Sequence, residues 1–300
     1  MTSDHRWSAV VVNYEAGDAL RDCIATIAGD TSAGVPEIVV VDNGSTDGSV
    51  DRLRADHPDV TVIETGENLG YAGAANRGIA ATAAPIVAVC NPDLSIAEGT
   101  AAAMVQRLDD DRRLGAVGPA IFEPDGSHYP SARQVPALGD AVGHALLGAL
   151  RPRNAFTRRY RELDRDPTVP RAVDWVSGAA IWLRRSALDE IGGWDDGYFM
   201  YVEDVDLCWR LQRAGWTIAY EPAVRVTHVQ GLSTRRHPYR MIAAHHRSLL
   251  RFAAKRWRGP KRILLVPAAV FLAGRAVVLM GASRIARLGA SRRSRPETAR

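Results

Sequence analysis

The sequence predicts an α/β protein with a mostly parallel central sheet, flanking helices and a basic helical tail. Short continuous apolar runs, typical of strands covered on both faces, recur through the first 90 residues. Segments with apolar residues at helical spacing separate these runs, and such alternation indicates a parallel sheet wound with helices. The chain has 300 residues, 46% hydrophobic and 24% charged, so it is globular and can bury a large core.

The first half alternates regularly. Apolar runs predict strands at 9–12, 38–41, 60–63 and 86–90, and helical spacing predicts helices at 18–28 and up to about Ala55. A glycine-rich loop at 66–78 leads into a helix rich in alanine. The segment from Ser95 to Glu98 matches a capping box, which predicts that a helix begins there.

The second half is less regular. Prolines and turn residues break the pattern over 124–172, where one apolar helix is expected at 138–150. We interpret this segment as an insertion that lies over the strand ends and contacts a second substrate. Strand character returns at 172–183, and strands are expected at 217–220 and 224–227, the second of which delivers His228.

The stretch 194–210 contains five carboxylates among large apolar side chains, and the rest of the chain is organised around it. From Glu203 onward the spacing predicts a helix in which Asp204 shares the inward face with Leu207, Cys208 and Leu211. Glu203, Asp206 and Arg210 fall on the other face, where Asp206 and Arg210 are spaced for a surface ion pair. An inward carboxylate should line a cleft, although acids also favour the first turn of any helix.

Polar side chains follow three predicted strands: Asn13, Asp42 and Asp93. Ligands of such sheets bind at the carboxyl ends of the strands. Asp42 could hold a base or a ribose hydroxyl, or it could form an Asx turn. Asp93 and His228 could form a Mg²⁺ or Mn²⁺ site with positions left for phosphate. The alternatives are a turn residue and a hydrogen-bonded histidine at a strand end.

The glycine-rich loop offers a second candidate. Asn68, Gly70, Gly73 and Arg77 lead into a helix start, where backbone amides and the arginine could face a phosphate or a base. The loop does not match GxGxxG and follows the third strand, which argues against a dinucleotide dehydrogenase.

The charge distribution indicates the class of partner, and the cysteine content indicates the redox compartment. Residues 235–300 contain 17 Lys and Arg against one acid, Glu297, a net +16; since the whole chain carries +4, the remainder carries −12. Cys23, Cys90 and Cys208 form no CxxC pair, so a disulfide framework or zinc site is not expected and a reducing cytosolic compartment fits. The first strand is expected within ten residues of Met1, so a secretory signal is not expected.

The tail contains a 12-residue apolar run at 263–274, broken by Pro267 and followed by Arg275. This run is expected to be too short and too interrupted to span a membrane. Basic residues on both sides favour a helix that lies in the headgroup layer of an anionic membrane; a true span and a plain soluble helix are the alternatives.

Four ordered motifs resemble those of the family 2 glycosyltransferases, which have a GT-A fold. They lie at 42–48, 68–78, 91–93 and 201–210, and the likeness covers roughly residues 7–230. Within that family, segments 126–134, 151–154 and 198–201 are similar to the actinobacterial L-rhamnosyltransferases that act on N-acetylglucosaminyl-diphospho-decaprenol in arabinogalactan linker synthesis.

The resemblance implies inverting transfer of a sugar, L-rhamnose from dTDP-L-rhamnose in this branch, onto a polyprenyl-diphosphate-linked N-acetylglucosamine. It implies a Mg²⁺ or Mn²⁺ ion at Asp93 and His228, although Asn91 replaces the first acid of the family's DxD motif. Asp204 would be the general base. The implied nucleotide-binding residues are Asn13, Asp42, Asn68 and Arg77, and the implied acceptor-binding residues are Trp175, Ser177, Gly178 and Glu203.

These expectations give a catalytic domain at 1–234, with an acceptor-side insertion at 124–172, and a membrane-associating tail at 235–300. The protein would lie peripherally on the cytoplasmic face of the cell membrane. The alternatives are transfer of another nucleotide sugar to a polysaccharide or lipid acceptor, a nucleotidyltransferase of similar architecture, and a nucleic-acid-binding protein. An acidic body with an apolar run in its tail fits a membrane better than nucleic acid.

Overall fold

The protein was analysed as a computed structural model, which describes residues 5–135, 138–148, 151–162, 164–229 and 237–293. Ten strands form one sheet and two form a second. The strands are β1 (Trp7–Asn13), β2 (Glu37–Asp42), β3 (Thr61–Glu64), β4 (Ile86–Cys90), β5 (Leu94–Ile96), β6 (Leu114–Phe122), β7 (His128–Tyr129), β8 (Ala132–Arg133), β9 (Arg171–Ala172), β10 (Trp175–Val176), β11 (Ala180–Arg184) and β12 (Thr217–His228).

The described part of the chain also contains ten α-helices. They are α1 (Asp18–Gly29), α2 (Ser49–Asp56), α3 (Gly70–Ala80), α4 (Thr100–Asp110), α5 (Leu138–Leu147), α6 (Ala155–Arg161), α7 (Arg185–Ile191), α8 (Glu203–Arg213), α9 (Pro238–Arg256) and α10 (Leu265–Arg293). A 3₁₀ helix, Gly259–Leu264, joins α9 to α10.

The main sheet has the order β3-β2-β1-β4-β11-β6-β12-β5. β1 to β4 are parallel, as predicted, because each crossover in this half contains a helix. β11 runs antiparallel to both β4 and β6, and β12 is parallel to β6 but antiparallel to β5. The sheet is therefore mixed in its second half.

Both faces of the sheet are covered, which explains the continuous apolar strands. One face packs against α1 and α4 through residues such as Leu20, Ile24 and Met104. The other packs against α3, α7 and α8 through Leu188 and Leu207. The carboxyl ends of β1, β2 and β4 meet at one edge, with Asn13 paired in register with Asp42.

Three local predictions were wrong. The predicted capping box is absent because Ser95 and Ile96 lie in β5, and α4 begins at Thr100; its first amides are bound by the buried carboxylate of Asp30, which accepts from the amides of Gly99 and Ala101 at 3.1 and 2.7 Å. The two strands expected at 217–220 and 224–227 are one strand, β12, with an irregular register between Glu221 and Arg225.

The third wrong prediction concerns the tail. Pro267 lies in the first turn of α10, where its missing N–H costs no hydrogen bond, so the helix continues through Arg275. Residues 259–285 are long and apolar enough to cross a membrane, and the most apolar 18-residue window has a mean hydropathy of 2.3 with no part buried. The predicted domain boundary at 234–235 lies outside the described residues.

The insertion contains more structure than the sequence indicated. The predicted apolar helix is α5, which ends at Leu147, but a second helix, α6, follows. Asn154 caps α6 by accepting a hydrogen bond from the amide of Thr157 at 3.0 Å.

Candidate active site

The end of β2 presents Asp42, whose two carboxylate oxygens are both bound. Oδ1 accepts from Nδ2 of Asn13 at 2.8 Å, and Oδ2 accepts from the amide of Ser45 at 3.1 Å. Asn13 is fully buried, and its amide also donates to Ser45 and Ser49. Asn13 thus lies beneath the strand ends and orients Asp42, while its direct contact with a nucleotide stays a prediction.

Asn43 ties the loop before α3 to the end of β2. Its Oδ1 accepts from the amide of Leu69 at 2.8 Å, and its Nδ2 donates to Oδ1 of Asn68 at 3.1 Å. Asn43 and Asn68 line one side of a cleft whose floor includes Asp93. The sequence indicated Asn68 but not Asn43.

Arg77 does not join this cleft. It lies in the last turn of α3 with an exposed side chain, two helical turns away from the cleft residue Gly70. Arg77 was expected to line the nucleotide pocket because the whole motif was treated as one loop. The motif instead becomes helical at Gly70, and the helix carries Arg77 away from the strand ends.

Asp93 and His228 come together, as predicted. Oδ1 of Asp93 lies 3.0 Å from Nε2 of His228, and Nδ2 of Asn91 lies 3.1 Å from the same nitrogen. Both residues are buried, and among the described residues Oδ1 of Asp93 has no hydrogen-bond partner. The 3.0 Å contact brings the atoms together without the alignment of a hydrogen bond.

This arrangement fits a divalent cation. A buried carboxylate oxygen and an imidazole nitrogen that converge without a hydrogen bond between them are suited to share a metal ion. Within the described part of the chain no third His, Cys, Asp or Glu completes such a site. Two protein ligands would leave the remaining positions for phosphate oxygens and water.

Asp204 is oriented by backbone. Its Oδ2 accepts from the amide of Gly178 at 3.0 Å, and its Oδ1 accepts from the amide of Val205 at 2.8 Å. Burial raises the pKa of Asp204, while these backbone hydrogen bonds and the charge of Arg133 act to lower it. A half-buried carboxylate with a raised pKa in a fixed orientation is suited to accept a proton.

One short turn connects Asp204 to the strand end that carries Asp93. The amide of Asn91 donates to the carbonyl of Ala179 at 2.8 Å, and the adjacent amide of Gly178 binds Asp204. The hydroxyl of Tyr71, which lines the cleft with Asp93, donates to the carbonyl of Gly178 at 2.5 Å. The two candidate centres therefore flank the same turn.

The predicted acceptor-side residues lie around this turn. Trp175 and Ser177 are buried on the same segment as Gly178. Glu203 was expected on the outer face of α8 but is 7% exposed, and burial, followed by the charge of Asp204, raises its pKa well above the usual value. Glu203 precedes Asp204 in the chain, and its contact with an acceptor stays a prediction.

Asp206 corrects the helical-face prediction. Its ion pair with Arg210 forms at 2.7 Å, but Asp206 is fully buried instead of exposed. Its Oδ1 accepts from the hydroxyl of Tyr198 at 3.2 Å and from Nζ of Lys255 at 2.5 Å. Both faces of α8 are covered because α9 packs over the face that the sequence pattern assigned to solvent.

Sequence reasoning missed the contribution of α9. Its first turn brings Arg240 and Met241, with the adjacent His237, to the wall of the cleft, where the guanidinium of Arg240 stacks 4.5 Å from the ring of Phe199. At its other end, Lys255 lies 2.7 Å from Asp195. These contacts were not predicted because the basic composition of the tail was interpreted only as a membrane-binding feature.

Two family models match this chain. The model of Glycosyl transferase family 2 matches residues 8–192, and the model of Glycosyl transferase family group 2 matches residues 158–271. The second match extends through α9 into α10.

Two relatives are similar in sequence. N-acetylglucosaminyl-diphospho-decaprenol L-rhamnosyltransferase of Mycobacterium tuberculosis is 41% identical over 268 residues, which cover 84% of this chain and 87% of the relative. Rhamnosyltransferase WbbL of Escherichia coli is 34% identical over 142 residues, which cover 47% of this chain and 49% of the relative.

Two solved structures share the fold. Mannosyltransferase PcManGT of Pyrobaculum calidifontis, in complex with GDP-Man and Mn²⁺, has a TM-score of 0.57 and 20% identity, covering 97% of this chain and 80% of that one. GalNAc-T7 with UDP, GalNAc and Mn²⁺ has a TM-score of 0.59 and 16% identity, covering 86% of this chain but 49% of that one. These likenesses confirm the predicted fold class.

Proposed function

The chain belongs to glycosyl transferase family 2, as its four motifs predicted, and on that premise we propose that it transfers L-rhamnose from dTDP-L-rhamnose to N-acetylglucosamine linked to a polyprenyl diphosphate. The sugar and the acceptor class are those in the name of the relative at 41% identity, whose match covers most of both chains, while dTDP as the carrier is what the resemblance of the motifs implies. The proposed reaction is a step of cell-wall polysaccharide assembly.

The observation that carries the proposal is the turn at 177–179. Asp204 lies on one side of this turn, and the strand end with Asn91 and Asp93 lies on the other. A transferase that works by single displacement needs a proton acceptor on the acceptor side and charge neutralisation on the donor side. Asp204 supplies the first, and Asp93 with His228 supplies the ligands for the second.

In the proposed reaction, an acceptor hydroxyl oxygen forms a bond to the anomeric carbon of the donor. The bond from that carbon to the diphosphate oxygen breaks, and the nucleoside diphosphate departs with the electron pair. Asp204 accepts the hydroxyl proton, and the anomeric configuration inverts because attack and departure occur on opposite faces of the sugar.

Asp93 and His228 would hold a divalent cation, and when bound this cation neutralises charge on the diphosphate leaving group. Asn68, which lines the same cleft, and Asp42, the neighbour of the lining residue Asn43, would bind the nucleotide base and ribose. The protein's own task on the donor side is to orient the diphosphate, for which Arg240 on the cleft wall adds a positive charge.

We also infer that α10 attaches the protein to the cytoplasmic face of the membrane. Its outward side carries exposed apolar residues, among them Val266, Val270 and Val277. Arg275 does not lie on that side, since its guanidinium faces α9, 2.9 Å from Nε2 of His246. Apolar area and surrounding basic charge together favour attachment to an anionic membrane.

A panel of nucleotide sugars tests the function. The purified protein is incubated with each donor and a short-chain prenyl-diphosphate N-acetylglucosamine, with Mg²⁺, with Mn²⁺ and with chelator. We expect dTDP-L-rhamnose to be consumed, dTDP to be released, and the chelator to stop the reaction. Consumption of another sugar would correct the donor assignment, and release of pyrophosphate would instead identify a nucleotidyltransferase.

A further inference from the structure

A buried arginine lies on the acceptor side of Asp204, inside a cage of three aromatic rings. The guanidinium carbon of Arg133 lies 5.0 Å from the ring centroid of Trp175, 5.4 Å from that of Tyr160 and 5.9 Å from that of Tyr129. Arg133 lies on β8 and pairs in register with Trp175 on β10. It is 9% exposed.

Within the described residues Arg133 forms no close ion pair, and the carboxylate that its charge acts on is that of Asp204, whose pKa is raised by burial and lowered by this charge. The Nε of Arg133 donates to the carbonyl of Pro130 at 2.9 Å. A desolvated cation is costly unless it is paired, and ring faces compensate only part of that cost. The terminal nitrogens of the guanidinium are thus available to an anion.

The position of Arg133 links it to the segment that holds Asp204. The amide of Asp174 donates to the carbonyl of Arg133 at 3.1 Å, and four residues further along the chain Gly178 binds Asp204. Arg133 is not among the described residues that line the cleft between Asn68 and Asp93. It therefore lies near the base but outside the donor pocket.

We propose that Arg133 binds the diphosphate of the lipid-linked acceptor, and that it is the residue by which the enzyme selects diphosphate-linked sugars over uncharged glycosides. This inference rests on the proposed function. In such an acceptor, the attacked hydroxyl and the diphosphate are separated by one sugar ring, so a cation beside the base is placed for the phosphate. The planar guanidinium fork matches two phosphate oxygens at once.

The test compares Arg133→Gln and Arg133→Lys with the wild type on two acceptors. One is prenyl-diphosphate N-acetylglucosamine, and the other is an alkyl N-acetylglucosaminide of equal chain length without phosphate. We expect Arg133→Gln to lower kcat/KM for the diphosphate acceptor by about 10–100-fold, mainly through KM, the scale of one lost hydrogen bond to a charged group. The alkyl glycoside should be affected much less, and Arg133→Lys should be intermediate.

Arg159→Gln is the matched control, because Arg159 also stacks on an aromatic ring, at 5.2 Å from Phe156, but lies on the exposed side of α6. Its kinetics should match the wild type on both acceptors. A second readout is the acidic limb of the pH profile of kcat, which should move to higher pH in Arg133→Gln because a positive charge near Asp204 is lost.

Equal losses on both acceptors, or a wild type without preference for the diphosphate acceptor, would overturn the assignment of Arg133 and leave sugar transfer standing. Slow hydrolysis of the donor in the absence of acceptor releases nucleoside diphosphate. This rate, measured in parallel, reports donor binding and activation independently of the acceptor. A wild type that transfers sugar to neither acceptor would overturn the proposed function and this inference with it.

Discussion

The two oxygens of Asp204 are bound to backbone amides, so its position is set by the fold and not by the side chains of the cleft. Asparagine has the same shape, but its NH2 group would face one of these two backbone N–H donors, so one hydrogen bond would be lost. Thermal unfolding of Asp204→Asn is therefore measured beside its kinetics, so that the contribution of Asp204 to catalysis is separated from its contribution to structure.

Asp204→Asn should lower kcat by about 10²–10⁴-fold, the usual scale for loss of a general base, while the dissociation constant for the donor stays near that of the wild type. Steady-state kinetics and calorimetric titration of the donor nucleotide measure the two quantities. Asp196→Asn is the control, since Asp196 is exposed in the same acidic stretch. Near-normal turnover in Asp204→Asn would remove it from its role.

Since burial raises the pKa of Asp204, the rate should fall with decreasing pH at values above 3.8, the pKa of an unperturbed aspartate. The free energy of unfolding should change with pH in the opposite direction to the rate. A folded-state pKa above the unfolded value means that stability is greatest at low pH and is lost as pH rises through the raised pKa. Rate and thermal unfolding measured across pH should show both trends, and Asp204→Asn should remove this contribution to the pH dependence of unfolding. A rate that is constant down to pH 4 would contradict the raised pKa.

At the scale of single residues, the sequence indicated where Asp93, His228 and Asp204 lie, because each follows or begins an element that could be recognised from its periodicity; their roles stay predictions. It failed for Arg77 and Asp206. Helical spacing shows which residues share a face but not what packs there, and the packing of α9 on α8 is a long-range contact. Asn43 and Arg133 became evident only from their contacts with other segments.

Among the elements, α3 begins where the chain passes closest to the stretch 198–201. Gly70 has φ +79°, and a Cβ atom there would lie 2.4 Å from the carbonyl oxygen of Phe199. The amide of Tyr71 donates to that same carbonyl at 2.9 Å. The start of α3 is therefore joined to the cleft wall by backbone contacts that only glycine permits.

Gly70→Ala should destabilise the fold by more than Gly66→Ala and should weaken donor binding. Gly66 has a similar φ of +76° but no neighbouring atom within 4 Å, so alanine there should cost only the conformational strain, about 1–2 kcal/mol. Chemical denaturation gives the free energy of unfolding of both variants, and titration with the donor gives their dissociation constants. Comparing the two variants separates the steric clash at Gly70 from the backbone strain that both positions share. Equal destabilisation would mean that the backbone near Phe199 adapts freely.

A second prediction at the scale of elements concerns the ion pairs by which Lys255 of α9 contacts Asp195 and Asp206. Burial alone would raise the pKa of Asp195, but hydrogen bonds from Arg251 and Lys255 outweigh it and hold that pKa below its usual range. Lys255→Met should lower the free energy of unfolding by about 1–3 kcal/mol at neutral pH, because Asp206 and Asp195 lose a shared cation. Lys261→Met, at an exposed position, should have no measurable effect.

The difference in unfolding free energy between Lys255→Met and the wild type should change with pH in a known direction. A depressed folded-state pKa gives stability that is present above the unfolded value of 3.8 and is lost as pH falls from that value through the folded-state pKa. The difference between Lys255→Met and the wild type should therefore shrink under acid conditions. A difference that grew in acid would show that Lys255 acts through packing and not through charge.

For the whole molecule, the alternation of apolar runs and helical segments was sufficient to predict the fold class, because it depends on repeated local patterns, and the resemblance of four ordered motifs was sufficient to predict the family. The mixed sheet was not predictable in detail: β11 and β12 read as strands, but their directions depend on pairing across more than 60 residues. The prediction for the tail was wrong because Pro267 was expected to interrupt a helix. The sequence does not show that the helix begins two residues earlier, where a proline is tolerated.

The attachment proposed for α10 can be tested on the full chain. Val266, Val270 and Val277 are each 70% exposed, and changing all three to Gln should reduce co-sedimentation with anionic vesicles at least about tenfold, since each buried valine contributes on the order of 1.5 kcal/mol. Deletion of residues 259–300 should abolish it. Val35→Gln with Val169→Gln, at exposed sites on the body, is the control. Undiminished sedimentation of the triple variant would exclude this face.

The double role of α9 has a practical consequence for anyone who shortens the chain to obtain a soluble enzyme. Its first turn forms part of the cleft wall and its last turn anchors the helix beneath it. A truncation that ended before Pro238, the limit that the basic composition would suggest, would retain Asp93, Asp204 and His228 yet open the donor side to bulk water. The shortest active form should therefore end after Arg256, where the cleft is complete and the apolar helix has not begun.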